Sequence, residues 1–162
     1  MRAIKIKSVL AVSAAALVAG SGLVLTAAPA SAASRCGADQ KKTFHPPGRS
    51  NTTVTARTCV QSDGTLKRGW VEISWIGGTG AKFDDFVVTA RLERNDAERG
   101  YAYCPVTSDV NGSSTGSYTC DPLPVRTSQS GGWTGDGKII YDYNDDGKGG
   151  FTWDLTGSPK VS

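Results

Sequence analysis

Between Lys138 and Thr156 the chain gathers Asp142, Asn144, Asp145, Asp146 and Asp154 around Gly147, Gly149 and Gly150. No other five-residue run gathers four Asp, Glu or Asn side chains as Asp142–Asp146 does. The spacing Asp142-x-Asn144-x-Asp146-Gly147 is the opening half of the D-x-[DN]-x-[DN]-G pattern that wraps calcium. Alternate side chains of a tightly curved loop converge on one centre, and glycine at the sixth place permits the turn. The seventh residue, Lys148, then offers its carbonyl oxygen. Asp142, Asn144, Asp146 and Lys148 are therefore the candidate metal ligands, and calcium is the one cofactor the sequence suggests. The loop falls short of the roughly six to eight oxygens that calcium takes, because Gly150 and Trp153 hold the ninth and twelfth places. Asp145 or Asp154 would have to supply the rest. The competing reading is a solvated hairpin tip whose Asn and Asp side chains accept from their own backbone.

Aromatic rings are the second source of chemistry. Trp133 lies in Ser130-Gly131-Gly132-Trp133-Thr134-Gly135, without bulky neighbours, and Trp70 shares a strand face with Glu72 and Ser74. Both are candidate binding residues, since an amphipathic ring at a surface can stack on a sugar or enter a protein interface. Trp133 has the alternative of folding back to cap one end of the domain, whereas Trp75 and Trp153 read as core. Catalytic signals are few. His45, the sole histidine, lies in Phe44-His45-Pro46-Pro47-Gly48. A Ser-His-Asp relay would have to be built around it, and no G-x-S-x-G accompanies it. Glu72, Glu93 and Asp109 are the candidates for a carboxylate pair. The mixed-sign run Arg91, Glu93, Arg94, Asp96, Glu98 and Arg99 reads as a solvated face, and no catalytic residue is assigned.

The compartment follows from the amino terminus and the cysteines. Residues 1–32 read as a cleaved signal peptide: Arg2, Lys5 and Lys7 precede an apolar run over Val9–Leu25, and Ala28-Pro29-Ala30 and Ala30-Ser31-Ala32 offer cleavage sites. The formal charge of +3 resides in that segment. Without Arg2, Lys5 and Lys7 the remainder balances at 15 basic against 15 acidic residues. A neutral domain carries no electrostatic footprint for nucleic acid, and once the signal is cleaved no membrane span is expected. Cys36, Cys59, Cys104 and Cys120 all lie in the exported part, an even count that argues for two disulfides. Three pairings are open; the sequential one, Cys36–Cys59 with Cys104–Cys120, closes the shortest loops. Zinc is disfavoured by the spacing and by the single histidine.

The elements that must position these residues read as strands. Thr52–Gln61 alternates Val54, Ala56, Thr58 and Val60 on one face, and Ser62-Asp63-Gly64-Thr65 is a hairpin turn. Leu66–Ile76 places Val71, Ile73 and Trp75 opposite Trp70, Glu72, Ser74 and Ile76, while Phe86–Arg94 turns Phe86, Val88, Ala90 and Leu92 inward. Tyr101–Val106 and Ser117–Asp121 are short strands carrying Cys104 and Cys120. Pro122–Gly137 reads as a long linker, and Lys138–Tyr143 with Phe151–Leu155 form a closing hairpin. No sustained helical period appears among the 20 glycines and 7 prolines that punctuate the chain. The expectation is an all-β fold: a single disulfide-stapled β-sandwich of about seven or eight short antiparallel strands over 52–162, preceded by an N-terminal arm, 33–51.

Two resemblances add to this. The strand-flanked Asp142–Gly147 segment partly resembles calcium loops of β-propeller and integrin-type blades, which carry an acidic ninth residue where this chain has Gly150. The runs RTCVQSDGTLKRGWVEISW, FDDFVVTARLERND and YNDDGKGGFTWDLTGSP resemble small secreted hypothetical proteins of actinobacteria. That resemblance implies export and transfers no activity. The resulting expectation is a secreted, monomeric, non-catalytic β-domain that binds an extracellular protein or glycan, with calcium as a structural cofactor. The alternatives are a secreted antagonist of another protein and a small secreted hydrolase.

Overall fold

The computed structural model describes residues 32–162, so the expected signal peptide lies outside the described residues except for its last position. The described residues form ten strands and one short helix. In order these are β1 (Ala33–Cys36), β2 (Gln40–Phe44), β3 (Thr52–Asp63), β4 (Leu66–Gly77), β5 (Phe83–Arg94), β6 (Ala97–Pro105), α1 (Thr107–Gly112), β7 (Thr115–Cys120), β8 (Val125–Arg126), β9 (Trp133–Tyr143) and β10 (Phe151–Asp154). They build two antiparallel sheets facing each other. The first is centred on the β3–β4 hairpin. β1 and β2 share the free edge of β3, while β7 and β8 share that of β4. The second runs β10–β9–β5–β6. The all-β sandwich expected from the alternation is thus the observed fold.

Alternation sets which side chains face inward. Val54, Ala56 and Val60 of β3, Val71, Ile73 and Trp75 of β4, and Phe86, Val88, Ala90 and Leu92 of β5 are all buried. Gly64 takes a φ of 52° in the β3–β4 turn, a left-handed conformation that glycine adopts without a Cβ penalty. The sheets are not evenly spaced. At one end Phe44 meets Phe83, Phe86, Tyr141 and Trp153 at centroid distances of 4.8–6.1 Å, and these rings prop the layers apart. Towards the other end, Gly69 of β4 and Gly135 of β9 bring backbone directly against backbone. A Cβ at Gly135 would overlap the Cys59 carbonyl of the facing sheet, and one at Gly69 would lie 3.1 Å from the Leu92 Cα. Beyond this pinch a second, small core forms from Val60, Leu92, Trp133 and Val161.

The open sides are closed in two ways. On one, the Cys104–Cys120 disulfide ties edge strand β6 to edge strand β7. On the other, Lys42 donates to the Tyr141 hydroxyl at 2.9 Å and lies over that ring at 4.7 Å. The second disulfide, Cys36–Cys59, links directly paired residues of β1 and β3. The sequential pairing is therefore the one observed.

Four expectations are corrected. The segment 33–51 is not an arm but supplies β1 and β2, because the long β3 leaves an edge whose backbone groups need partners. The presumed linker 122–137 contains β8 and the start of β9. Thr107–Gly112 is helical, with Val110 as its one buried residue; six residues are too few to show a period. The strand count is ten rather than seven or eight, and three strands are 12 residues long.

The pinch predicts a sharp contrast among glycines. Gly135→Ala is expected to cost about 3 kcal/mol or more in urea unfolding, through overlap that neither backbone can relieve. Gly112→Ala, where nothing lies within 4 Å of the added Cβ, should stay within about 0.5 kcal/mol of the parent or be slightly stabilising. Similar costs for both would remove the pinch as a constraint.

Candidate ligand-binding groove

The face that collects unpaired chemistry is the outer face of β10–β9–β5–β6. Cys104 must point inward to reach Cys120, so alternation along β6 turns Tyr101 and Tyr103 outward. Their register partners on β5 are Arg91 and Thr89, whose partners on β9 are Asp136 and Lys138; Lys138 in turn faces Asp154 of β10. One further step along, Pro105, Val87, Ile140 and Thr152 form the next cross-strand row.

This outward face is recessed. Val87 and Thr89 point away from the core yet are 0% and 1% exposed, covered by the flanking side chains. Above them lies a groove of about 330 Å³ lined by Thr89, Arg91, Glu98, Tyr101, Lys138 and Asp154. Tyr101 is 48% and Tyr103 57% exposed, an uncommon state for two adjacent rings on one strand face. Among the described residues, the side chains of Lys138, Asp154 and Glu98 make no hydrogen bond or ion pair within the protein. Arg91 is held at the groove by Asp136 at 2.6 Å and Glu93 at 3.5 Å. Burial pushes the Glu93 carboxyl above the usual glutamate range, with Arg91 opposing that rise.

The outer face of the other sheet carries a groove of about 360 Å³, lined among others by Thr55, Arg57, Glu72, Ser74, Ser117 and Thr119. Of its charged residues Arg57 and Glu72 are spent on each other, while Asp39 borders it without a partner among the described residues. Arg57 pairs with Glu72, and the Trp70 indole donates to the same carboxylate at 2.8 Å. That indole bond, with the Arg57 pairing, holds Glu72 below its ordinary range against the opposing effect of burial. The Trp70 ring is half-buried, with the Arg68 guanidinium 5.2 Å from its centroid.

The residues singled out from sequence are distributed as follows. Trp133 is 1% exposed, donates to the Gln129 carbonyl at 3.1 Å and packs with Val60, Leu92 and Val161. Its candidacy as a surface binding residue is corrected: it caps the narrow end of the sandwich, the pinch leaving room there for one large ring. Of the candidate calcium ligands, Asp142 stands on β9 opposite Asp85 with Oδ1 buried and unpaired. Asn144 donates its amide to the Ala81 carbonyl, and Asp146 accepts from the Lys148 N–H at 2.7 Å. Asp154 cannot complete that loop, because its register partner Lys138 is four residues along β9 from Asp142, roughly 13 Å of strand. Among the described residues no three His, Cys, Asp or Glu side chains gather as a metal site. His45 is exposed just past β2, its backbone N–H directed to the Tyr143 hydroxyl. Glu72, Glu93 and Asp109 fall on one sheet, the other sheet and α1, and so do not pair.

Tyr101 and Tyr103 went unnoticed in the sequence, although the signal was present. Any strand that sends Cys104 inward must send both rings out. Similarly, Arg91, Glu93 and Glu98, read as a solvated face, turn out to border a groove because β6 and β9 flank them. No protein-family model, no curated protein and no solved structure matches this chain.

The two glutamates predict opposite pH behaviour. Glu93, whose folded pKa is raised, contributes stability that is full below its unfolded pKa and lost as pH rises through the folded value. Glu72, whose folded pKa is lowered, contributes stability present above its unfolded pKa and lost as pH falls through the folded value. Urea midpoints between pH 3 and 7 should therefore show Glu93→Gln flattening a decline with rising pH, and Glu72→Gln flattening a rise. The same slope change in both variants would overturn the assignment.

Proposed function

We propose that this protein is an exported, non-catalytic binding domain that holds a polysaccharide on the outer face of β9–β5–β6. Tyr101 and Tyr103 serve as stacking platforms. The observation that carries the reading is this exposed ring pair beside a recessed floor bordered by uncommitted polar groups. Residues i and i+2 of a strand are separated by roughly 7 Å, a spacing that lets neighbouring rings meet successive sugars of one chain. Sugar C–H faces are apolar with a positive edge and suit the negative face of an aromatic ring. Lys138, Asp154 and Glu98 are placed to exchange hydrogen bonds with the hydroxyls, the division of labour expected of a binding site. Two disulfides fit an oxidising compartment. Among the described residues no helix is long and apolar enough to cross a membrane. Both facts are consistent with action outside the cell.

Co-sedimentation with insoluble polysaccharides (chitin, cellulose, xylan and cell-wall sacculi) tests this directly. At least one should retain the protein. Tyr101→Ala and Tyr103→Ala should each weaken retention about fivefold or more, since a stacked aromatic contributes on the order of 1 kcal/mol or more. Tyr118→Ala, on β7 of the other sheet, should not. Retention that ignores both groove tyrosines, or no retention by any glycan, would sink the reading.

A second reading, antagonism of another protein, is favoured by one observation. Leu123 is 88% exposed between Pro122 and Pro124, and the segment is anchored by Cys120 on one side and β8 on the other. Prolines on both sides hold this apex extended, as pre-organised contact loops require.

A further inference from the structure

The groove face is far more acidic than the chain as a whole. Register and alternation place Asp85, Glu93, Asp136, Asp142 and Asp154 on it, together with Glu98. Arg91 and Lys138, with Arg99 two residues before Tyr101 on β6, oppose them on that face among the described residues. Arg91 is already spent, bound between Asp136 and Glu93. Asp154 and Glu98 remain free, bordering the groove on the far side of Lys138 and next to Tyr101. Within the groove Arg91 and Lys138 stand against Glu98 and Asp154, while the face around it carries the excess of acid, whose field favours a ligand of the opposite sign.

From this charge distribution we infer that the polysaccharide is one of amino sugars carrying free ammonium groups, as in deacetylated chitin. The inference rests on the tyrosine-platform reading above and adds the ligand's charge. Each sugar ring stacks on Tyr101 or Tyr103 through its C–H face. Its ammonium group is then directed to Asp154 or Glu98, with the π face of the tyrosine adding a cation–π attraction. A polyuronate would meet the same carboxylates as like charges and is excluded from the groove. A neutral glucan would gain the stacking alone. A basic peptide carries the right charge but not the flat C–H faces that two adjacent rings are arranged to meet.

The test is calorimetric titration of the exported chain, both disulfides intact, at pH 5.5 and low salt. The probes are glucosamine hexamer, N-acetylglucosamine hexamer, a galacturonate oligomer and hexalysine. The glucosamine hexamer should bind at least tenfold more tightly than its acetylated counterpart, with the gap closing in 0.5 M NaCl as the ammonium–carboxylate attraction is screened. Asp154→Asn combined with Glu98→Gln should erase the preference, bringing the two hexamers to the same affinity. Tyr101→Ala should weaken both. Equal affinity for the two hexamers, both lost in Tyr101→Ala, would overturn the charge inference and leave the platform reading standing. Binding of neither hexamer would overturn the charge inference, and if none of the insoluble glycans retained the protein either, the platform reading would fall with it. Hexalysine binding as tightly as the glucosamine hexamer would overturn the sugar assignment in favour of a basic peptide.

Discussion

Everything in this fold answers to the contact of backbone on backbone where Gly69 of β4 meets Gly135 of β9. Two β-sheets ordinarily stand about 10 Å apart, separated by interdigitating side chains. Here the Leu92 Cα and the Arg91 carbonyl lie at 3.1 and 3.0 Å from where a Gly69 Cβ would be, so no side chain fits between the layers. The sandwich is consequently a wedge. Its wide end holds the rings of Phe44, Phe83, Phe86, Tyr141 and Trp153, and its narrow end is pinned shut. Trp133, Val60, Leu92 and Val161 lie past the pin as a separate apolar plug. Gly137 continues the same constraint: a Cβ there would run into the Val71 side chain of the facing sheet and the Thr89 carbonyl.

A wedge has consequences for its outer faces. β5 and β9 must approach β3 and β4 closely at one end and recede at the other, so the outer surface they carry is bent. β5 is central, flanked by β9 and β6 along its length. That position explains how Val87 and Thr89 come to be buried on a face with no second layer over it. The edge strands then matter as walls. β6 is fixed to the opposite sheet by Cys104–Cys120, so the strand bearing Tyr101 and Tyr103 is anchored at the covalent link that also orients those rings. The disulfide thus joins stability to site: it staples one open side of the sandwich and sets which way the tyrosines look.

Much of this was legible in the sequence. The inward faces of β3, β4 and β5, the Gly64 turn and the all-β class follow from period-two alternation and turn chemistry. They do so because one face of each strand is buried and register is therefore strongly specified. What was not legible involves partners distant in sequence. β2 has no alternating pattern of its own, and it exists because β3 offers an unpaired edge. Trp133 looked solitary between glycines because the residues that bury it, Val60, Leu92 and Val161, come from three remote segments. One of those glycines, Gly135, is what lets β9 press against β3. The acidic loop at 142–148 displayed a ligand spacing, but Asn144 is spent on the Ala81 carbonyl and Asp146 on its own turn. Spacing along a chain cannot show which oxygens are already occupied.

The same limit applies to charge, where composition misleads in an instructive way. The equal count of acids and bases in residues 33–162 offers no overall charge to drive an interaction of the kind nucleic acid requires, yet it says nothing of how the charges are divided between faces. Alternation makes that division. Along β9 every second residue, Asp136, Lys138 and Asp142 among them, faces outward. Along β5 the outward set includes Asp85, Arg91 and Glu93. Most of these residues are acidic, and the compensating cations lie elsewhere, many in β2, β3 and β4: Lys41, Arg57 and Arg68 stand on the opposite face of the sandwich. Residues 33–162, neutral in sum, are folded into a domain with one acidic face. Because a field acts over roughly a Debye length of about 8–10 Å, a ligand at the groove responds to that face and not to the sum over the whole protein.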